Sequence, residues 1–326
     1  MWYTTDEFYN LITLLQSSIA VTGSIALGIG LLRSGARFVD MMNCFLQLFQ
    51  RTGRLTPNSS IMGQQQFVFL LMISIFNINE AAALTVLMDY TDWREFALAS
   101  AKIYMESGLT ISLYIVIVGY MSIGALFTSM NRYMREEFQP RAKCLDYVLR
   151  RKFNYRSQHY RRKLIRMTRE LNECLSIYND IYQAADSFHY NFRFHIFFAL
   201  LYGFSALAII MYSVLYTQAV TETFELTGWL YCVKIFLEEL IIILSAYSAV
   251  QSGIAANKLS LDSVYMGGNK EWNRSVEIFI NRINLYEFKP NIFGLFDVSS
   301  DILLMFISGS VTYLTYILQN TMLSQQ

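Results

Sequence analysis

The residues best placed to do chemistry are charged groups inside otherwise apolar stretches: Glu80, Lys234, Glu238 and Glu239. Facing lipid at a helix centre, each would cost roughly 2.5–3.5 kcal/mol, so they must face protein or water. Lys234 and Glu238 are four apart on one helix face, a spacing that suits a local ion pair. Glu80 has no such neighbour but follows Asn77 by one turn, which makes the two a candidate polar wall of a ligand cavity. Hydrogen bonding between helices is the competing role. Enzyme signatures are missing: the chain has no G-x-x-x-x-G-K-[ST], no H-E-x-x-H and no paired C-x-x-C. Of its three histidines, His189 and His195 sit near the inner end of an apolar run and read as interfacial rather than metal-ligating. No catalytic residue, metal or cofactor is expected.

The elements that must carry these residues follow from composition. Over 326 residues, 54% are hydrophobic and 16% charged, an excess of apolar surface that needs a nonaqueous solvent. A helix crossing a hydrocarbon core of roughly 30 Å needs about 20 mostly apolar residues. Such runs occupy 11–32, 67–88, 109–130, 194–216, 229–250 and 302–318. With only three prolines and runs of this length, helices fit better than the shorter alternating segments of a barrel. The expected fold is an all-α polytopic membrane protein with six visible spans.

Charge distribution orients them. Arg33, Arg37, Arg51 and Arg54 follow the first run, and Arg150, Arg151, Lys152, Arg161, Arg162, Lys163, Arg166 and Arg169 cluster between the third and fourth. Lys258, Lys270, Arg274, Arg282 and Lys289 precede the last. Positive segments stay in the cytosol, so these sides are assigned inside. Asp6 and Glu7, the 89–106 segment, and Glu222 with Glu225 are acidic and assigned outside. Both visible termini are then extracellular. Met1 to Asn10 holds no basic residue and the first apolar run is too long for a signal core, so that span is expected to be retained. Cys44, Cys144 and Cys174 fall on the cytosolic side and Cys232 within a span, so reduced thiols are expected. The sequon at Asn58 has four arginines around it and is expected to face the cytosol, unglycosylated.

The cytosolic segments carry helical stripes. Leu164, Met167, Leu171, Leu175 and Tyr178 recur at three-to-four spacing, with Arg162, Arg166, Arg169 and Glu173 on other faces. This predicts an amphipathic helix continuing the fourth span inward. Trp272, Val276, Phe279, Ile283 and Tyr286 form a second stripe after the breaker Gly267-Gly268. The two helices are expected to pack together, against a competing reading in which the basic face binds anionic lipid.

The last span holds the most specific pattern, Thr312-Tyr313-Leu314-Thr315-Tyr316-Ile317-Leu318-Gln319-Asn320, preceded by Phe293-Gly294-Leu295-Phe296-Asp297. Here the chain resembles the insect gustatory receptor family. That family's last helix carries Thr-Tyr, five mostly apolar residues and Gln-Phe, after a Gly-aliphatic-Phe lead-in. Thr312, Tyr313, Gln319, Gly294 and Phe296 match; Asn320 replaces the usual Phe, and Thr315 and Tyr316 are more polar than usual. The resemblance implies seven spans and a cytosolic N-terminus, so the first family helix has no counterpart among the six visible here. An in-frame apolar run of about 20 residues upstream would mark a late start, and an upstream stop codon a short form.

On this resemblance, residues 1–130 hold the first three visible spans with a cytosolic loop at 33–66. Residues 131–193 form a cytosolic helical segment, 194–252 two spans and 253–295 a second cytosolic helical segment. Residues 296–320 form the pore-lining last span and 321–326 an extracellular tail. The family implies a gustatory chemoreceptor: a ligand-gated nonselective cation channel subunit, homo- or heterotetrameric with other gustatory receptors. It would lie among lipid in the plasma membrane of gustatory receptor neurons and take a small-molecule tastant. No nucleic-acid partner is expected. By motif position Tyr316, Gln319 and Asn320 line the pore, while Thr312 and Tyr313 serve packing between helices. Asp297 and Asp301 either enrich cations at the inner mouth or favour the helix start through its dipole. Asn77, Glu80, Tyr114, Tyr212, Tyr216 and Trp229 are the ligand candidates; Tyr216 and Trp229 equally suit interfacial anchors.

Two rival readings remain. Asn131-Arg132-Tyr133 is similar to the acidic-Arg-Tyr triplet of G-protein-coupled receptors, but the acid is missing and the last span lacks Asn-Pro-x-x-Tyr. Glu80 and the charges from Lys234 to Glu239 would suit a secondary transporter, for which no inverted repeat is visible.

Overall fold

The computed structural model describes residues 5–56, 71–72, 74–75, 78, 93–152, 158–221, 226–259, 269–286, 288–294, 296–297 and 300–324. Its helices in chain order are α1 (Thr5–Leu55), α2 (Trp93–Tyr133), α3 (Gln139–Lys152), α4 (Gln158–Thr221), α5 (Leu226–Asn257), α6 (Lys270–Leu285) and α7 (Ser300–Ser324). Five of the six apolar runs lie inside α1, α2, α4, α5 and α7. Of the run at 67–88, Leu71, Met72, Ser74, Ile75 and Ile78 are described as helical. Two segments among the described residues, Ile111–Val148 and Gln158–Leu215, are long and apolar enough to cross a membrane.

Helix length separates the membrane part from the rest. The 64 residues of α4 measure about 96 Å at 1.5 Å per residue. No bilayer accommodates that, so α4 must project far beyond one face. The predicted amphipathic extension and the fourth span are thus one unbroken helix. Arg162, Arg166 and Arg169 on this extension are exposed, so its basic face stays clear of the apolar stripe that packs inward.

The apolar stripes become the core. Leu164, Leu171 and Tyr178 are buried on α4, with Cys174 beside them; Trp272, Val276, Phe279 and Ile283 are buried on α6. Tyr178 meets Phe279 edge-on at 5.9 Å, and Tyr182 stacks on Tyr286 at 5.1 Å. The first turn of α6 is closed by Asn269, whose Oδ1 accepts from the Trp272 amide at 2.9 Å. Gly267 and Gly268 lie outside the described residues, as does the Asn58 sequon. All four cysteines are free.

Between α2 and α3 the chain makes one π-helical turn, Met134–Phe138, flanked by helical backbone at Tyr133 and Gln139. This turn puts Met134 and Phe138 in the core, where Phe138 stacks on Trp272 at 6.2 Å. Helix α2 crosses α5 where a Cβ on Gly124 would stand 3.5 Å from the Cα of Ala249, small residues letting two backbones approach. Within the membrane part, a Cβ on Gly203 would overlap the carboxyl of Glu239, so that buried side chain occupies the space glycine leaves on α4. Lys234 is also buried, its ammonium 5.0 Å from the ring centre of Tyr231.

The described chain departs from an all-helical one at a minimal hairpin before α7. Strand β1 (Asn291–Ile292) pairs antiparallel with β2 (Phe296–Asp297), Asn291 opposite Asp297 and Ile292 opposite Phe296. Phe293 and Gly294 turn the chain with φ of 54° and 75°, the left-handed region that glycine adopts freely and phenylalanine rarely does.

Candidate pore helix and the hairpin that holds it

Helix α7 packs mainly on α4 and α5. Ile302 joins the main core, and Gly309 allows the ring of Phe204 to approach. The outward side is bare. Met305, Val311 and Tyr316 are 68%, 57% and 62% exposed, and Thr312, Thr315 and Gln319 are exposed with them. Met305, Thr312, Tyr316 and Gln319 recur at seven, four and three residues, so they share one helical stripe.

The hydroxyls of Thr312 and Thr315 on the exposed side are satisfied within the helix. Thr312 donates to the Ser308 carbonyl and Thr315 to the Val311 carbonyl, both at 2.8 Å. Their methyl groups and the rings and amides around them are what the stripe presents. The side chains of Tyr313 and Asn320 lie outside the described residues, as does that of Phe296. Asp297 is exposed in β2 and accepts from the Asn291 side-chain amide at 2.7 Å; Asp301 is exposed in the first turn of α7.

Of the ligand candidates, the side chains of Tyr114, Tyr212 and Trp229 are described. Asn77, Glu80 and the Tyr216 side chain lie outside the described residues. Tyr114 packs against the main core on α2, and Tyr212 is buried on α4. Trp229, half-buried near the start of α5, keeps its indole N–H buried without a hydrogen-bond partner. A groove of about 790 Å³ opens elsewhere, between α1 and α4, with Arg37, Asp40, Arg51, Asp180 and Asp186 among its lining. Arg51 and Asp180 pair across it.

Both histidines expected at an interface are buried, and elements distant in sequence reach His189. His189 is 9% and His195 7% exposed. The Tyr120 hydroxyl lies 2.7 Å from His189 Nδ1, and His189 Nε2 lies 2.8 Å from the main-chain oxygen of Asn291. Burial pushes the His189 pKa below the ordinary histidine value; the Asn291 carbonyl and Asp186 act the other way, and Arg193 adds to the lowering. Imidazole is therefore the favoured form. Nearby, burial and then the Asp180 carboxylate raise the Cys44 thiol, which makes it a poor nucleophile.

The Asn131-Arg132-Tyr133 triplet serves packing. Asn131 bonds to α4 and α5 through Tyr178 and Ser252, Tyr133 donates to Glu170 on α4, and Arg132 is exposed. Glu170 also accepts from Arg141 of α3. No spacing rule exposes these bonds, since partners lie tens of residues apart; a buried polar residue on an apolar face was the available signal.

Long membrane-scale helices, a folded helical layer beyond them and a last helix with an uncovered side define a multi-helix membrane protein. The chain belongs to the 7tm Chemosensory receptor family, which matches residues 1–324. It is 28% identical to the protein named Putative gustatory receptor 93c of Drosophila melanogaster over 86% of this chain and 69% of that protein. It is 27% identical to Putative gustatory receptor 93b of the same species over 90% and 71%. The gustatory receptor for bitter taste 93a of the same species is 23% identical over 96% and 75%. The protein is thus a membrane-embedded receptor of a chemosensory, not an enzymatic, family.

Proposed function

We propose that this chain is a subunit of a ligand-gated, nonselective cation channel that detects a small-molecule tastant. It works as a homo- or heterotetramer with related gustatory receptors in the plasma membrane of gustatory receptor neurons. The uncovered stripe of α7 carries the reading. A lipid-facing surface favours apolar side chains, and an amide such as Gln319 is stabilised only against water or protein. Around a central axis, four such stripes would face one another, with Tyr316 narrowing the passage and Gln319 offering its amide to a partly hydrated cation. Asn320, in place of the family's usual Phe, makes the outer lip more polar. The relative named for bitter taste puts bitter compounds first among the tastants to try.

Patch-clamp recording of cells expressing the chain, screened against bitter compounds, sugars and small volatiles, tests this reading. The expected result is a ligand-evoked cation current that persists in excised patches without nucleotide. A response that requires GTP, with a C-terminal tag stained only after permeabilisation, would favour a G-protein-coupled receptor.

A further inference from the structure

Three elements meet at the imidazole of His189, and their chemistry fixes its tautomer. The main-chain oxygen of Asn291 can only accept, so Nε2, 2.8 Å away, must carry the hydrogen. In the neutral ring Nδ1 is then the bare acceptor. Tyr120, wholly buried and 2.7 Å from Nδ1, must donate its hydroxyl hydrogen there. The two bonds run in one direction, from α2 through α4 to β1.

The hairpin is closed around the same residue. The side chain of Asn291 accepts from the Gly294 amide through Oδ1 and donates to Asp297 through Nδ2. Three residues beyond Asp297, α7 begins. A second hold lies further along α4. The Phe293 ring sits 4.5 Å from Phe194 and 5.8 Å from Phe197, with the Arg193 guanidinium 5.1 Å from its centre. His189, Arg193 and Phe197 recur every four residues, so one face of α4 reads the whole hairpin. The left-handed backbone of Phe293 is kept where its ring is gripped.

We propose that His189 is the positioning residue that couples α2 and α4 to the last helix, acting as a latch that holds the hairpin from which α7 departs. The inference rests on the channel reading for its functional meaning, and on the hydrogen bonds alone for its structural one. A ligand that shifts α2 against α4 changes the Tyr120 bond, and His189 passes that change to the root of α7.

Two substitutions divide the ring's functions. In His189→Gln the amide nitrogen falls near the former Nε2 and can still donate to Asn291. In His189→Asn the amide reaches only the former Nδ1, can still accept from Tyr120, and lets the hairpin go. Hydrogen exchange of residues 288–297 in the purified receptor should be roughly 2- to 10-fold faster in His189→Asn, the scale of one lost hydrogen bond, and near wild type in His189→Gln. The ligand concentration for half-maximal current should shift in His189→Asn by a similar factor with unitary conductance unchanged. Equal exchange in the two variants, or an Asn variant that behaves as wild type, would overturn the latch. Should neither variant fold, nitrogen NMR of the histidines in the wild-type receptor decides: His189 with hydrogen on Nε2 supports the proposal and hydrogen on Nδ1 overturns it. A wild-type receptor without ligand-evoked current would defeat the channel reading, while the exchange and NMR results would still judge the latch.

Discussion

Tyr178 donates its hydroxyl hydrogen to the Oδ1 of Asn131 across 2.8 Å, and the same amide donates to the main-chain oxygen of Ser252 at 2.8 Å. One side chain on α2 thereby ties α4 to α5 within the buried core. Removing it would strand a buried phenol and a carbonyl. Asn131→Leu should destabilise the receptor by about 2 kcal/mol, and Tyr178→Phe by about 1 kcal/mol. Thermal unfolding in detergent checks the order: the Asn131 variant should melt first.

Trp272 anchors the helical layer below the predicted membrane part. It is fully buried and stacked on Phe138, whose inward direction depends on the π-helical turn. Trp272→Ala should cost about 3–5 kcal/mol through the cavity it leaves. Asn269→Ala, which removes only the cap of α6, should cost about 1 kcal/mol. Unfolding temperatures of the two variants should differ accordingly.

Acid should weaken the fold through His189. Its folded pKa lies below the ordinary value of 6.5, chiefly because burial disfavours the charged ring. The unfolded chain therefore binds the proton more readily. Stability present above pH 6.5 is lost as pH falls through that value toward the folded one. Asp186 and Arg193 on α4, Tyr120 on α2 and the Asn291 carbonyl surround the ring and stay in place in His189→Gln. Between pH 7.5 and 5, wild type should lose more thermal stability than that variant; parallel losses would remove His189 as the cause.

The outer lip of the proposed pore can be tested by restoring the family residue. Asn makes a closed constriction easier to wet than Phe does. Asn320→Phe should lower ligand-free current at matched surface expression, and equal or greater basal current would move Asn320 off the pore.

Much of the fold was legible because long helices repeat their pattern. The stripe from Trp272 to Ile283 and that from Leu164 to Tyr178 repeat over several turns, and both became buried faces. The hairpin was not legible: two-residue strands are too short to show alternation, and Phe293 is an unexpected left-handed residue. His189 misled for a different reason. Its polar partners lie 69 and 102 residues away, so the ring looked interfacial when only its neighbours were read. At the candidate site, the stripe of Thr312, Tyr316 and Gln319 could be located from a family pattern. The ligand candidates rested on polarity within single helices, which says nothing of which helices face a common cavity.

The central claim, that α7 lines a cation pathway, is tested most directly by the sign of the charge placed at Gln319. Unitary currents evoked by an active tastant in excised patches should rise in Gln319→Glu and fall several-fold or vanish in Gln319→Lys, because one charge attracts and the other repels a permeating cation. Unchanged unitary conductance in both variants, at surface expression equal to wild type, would contradict a pore at this helix.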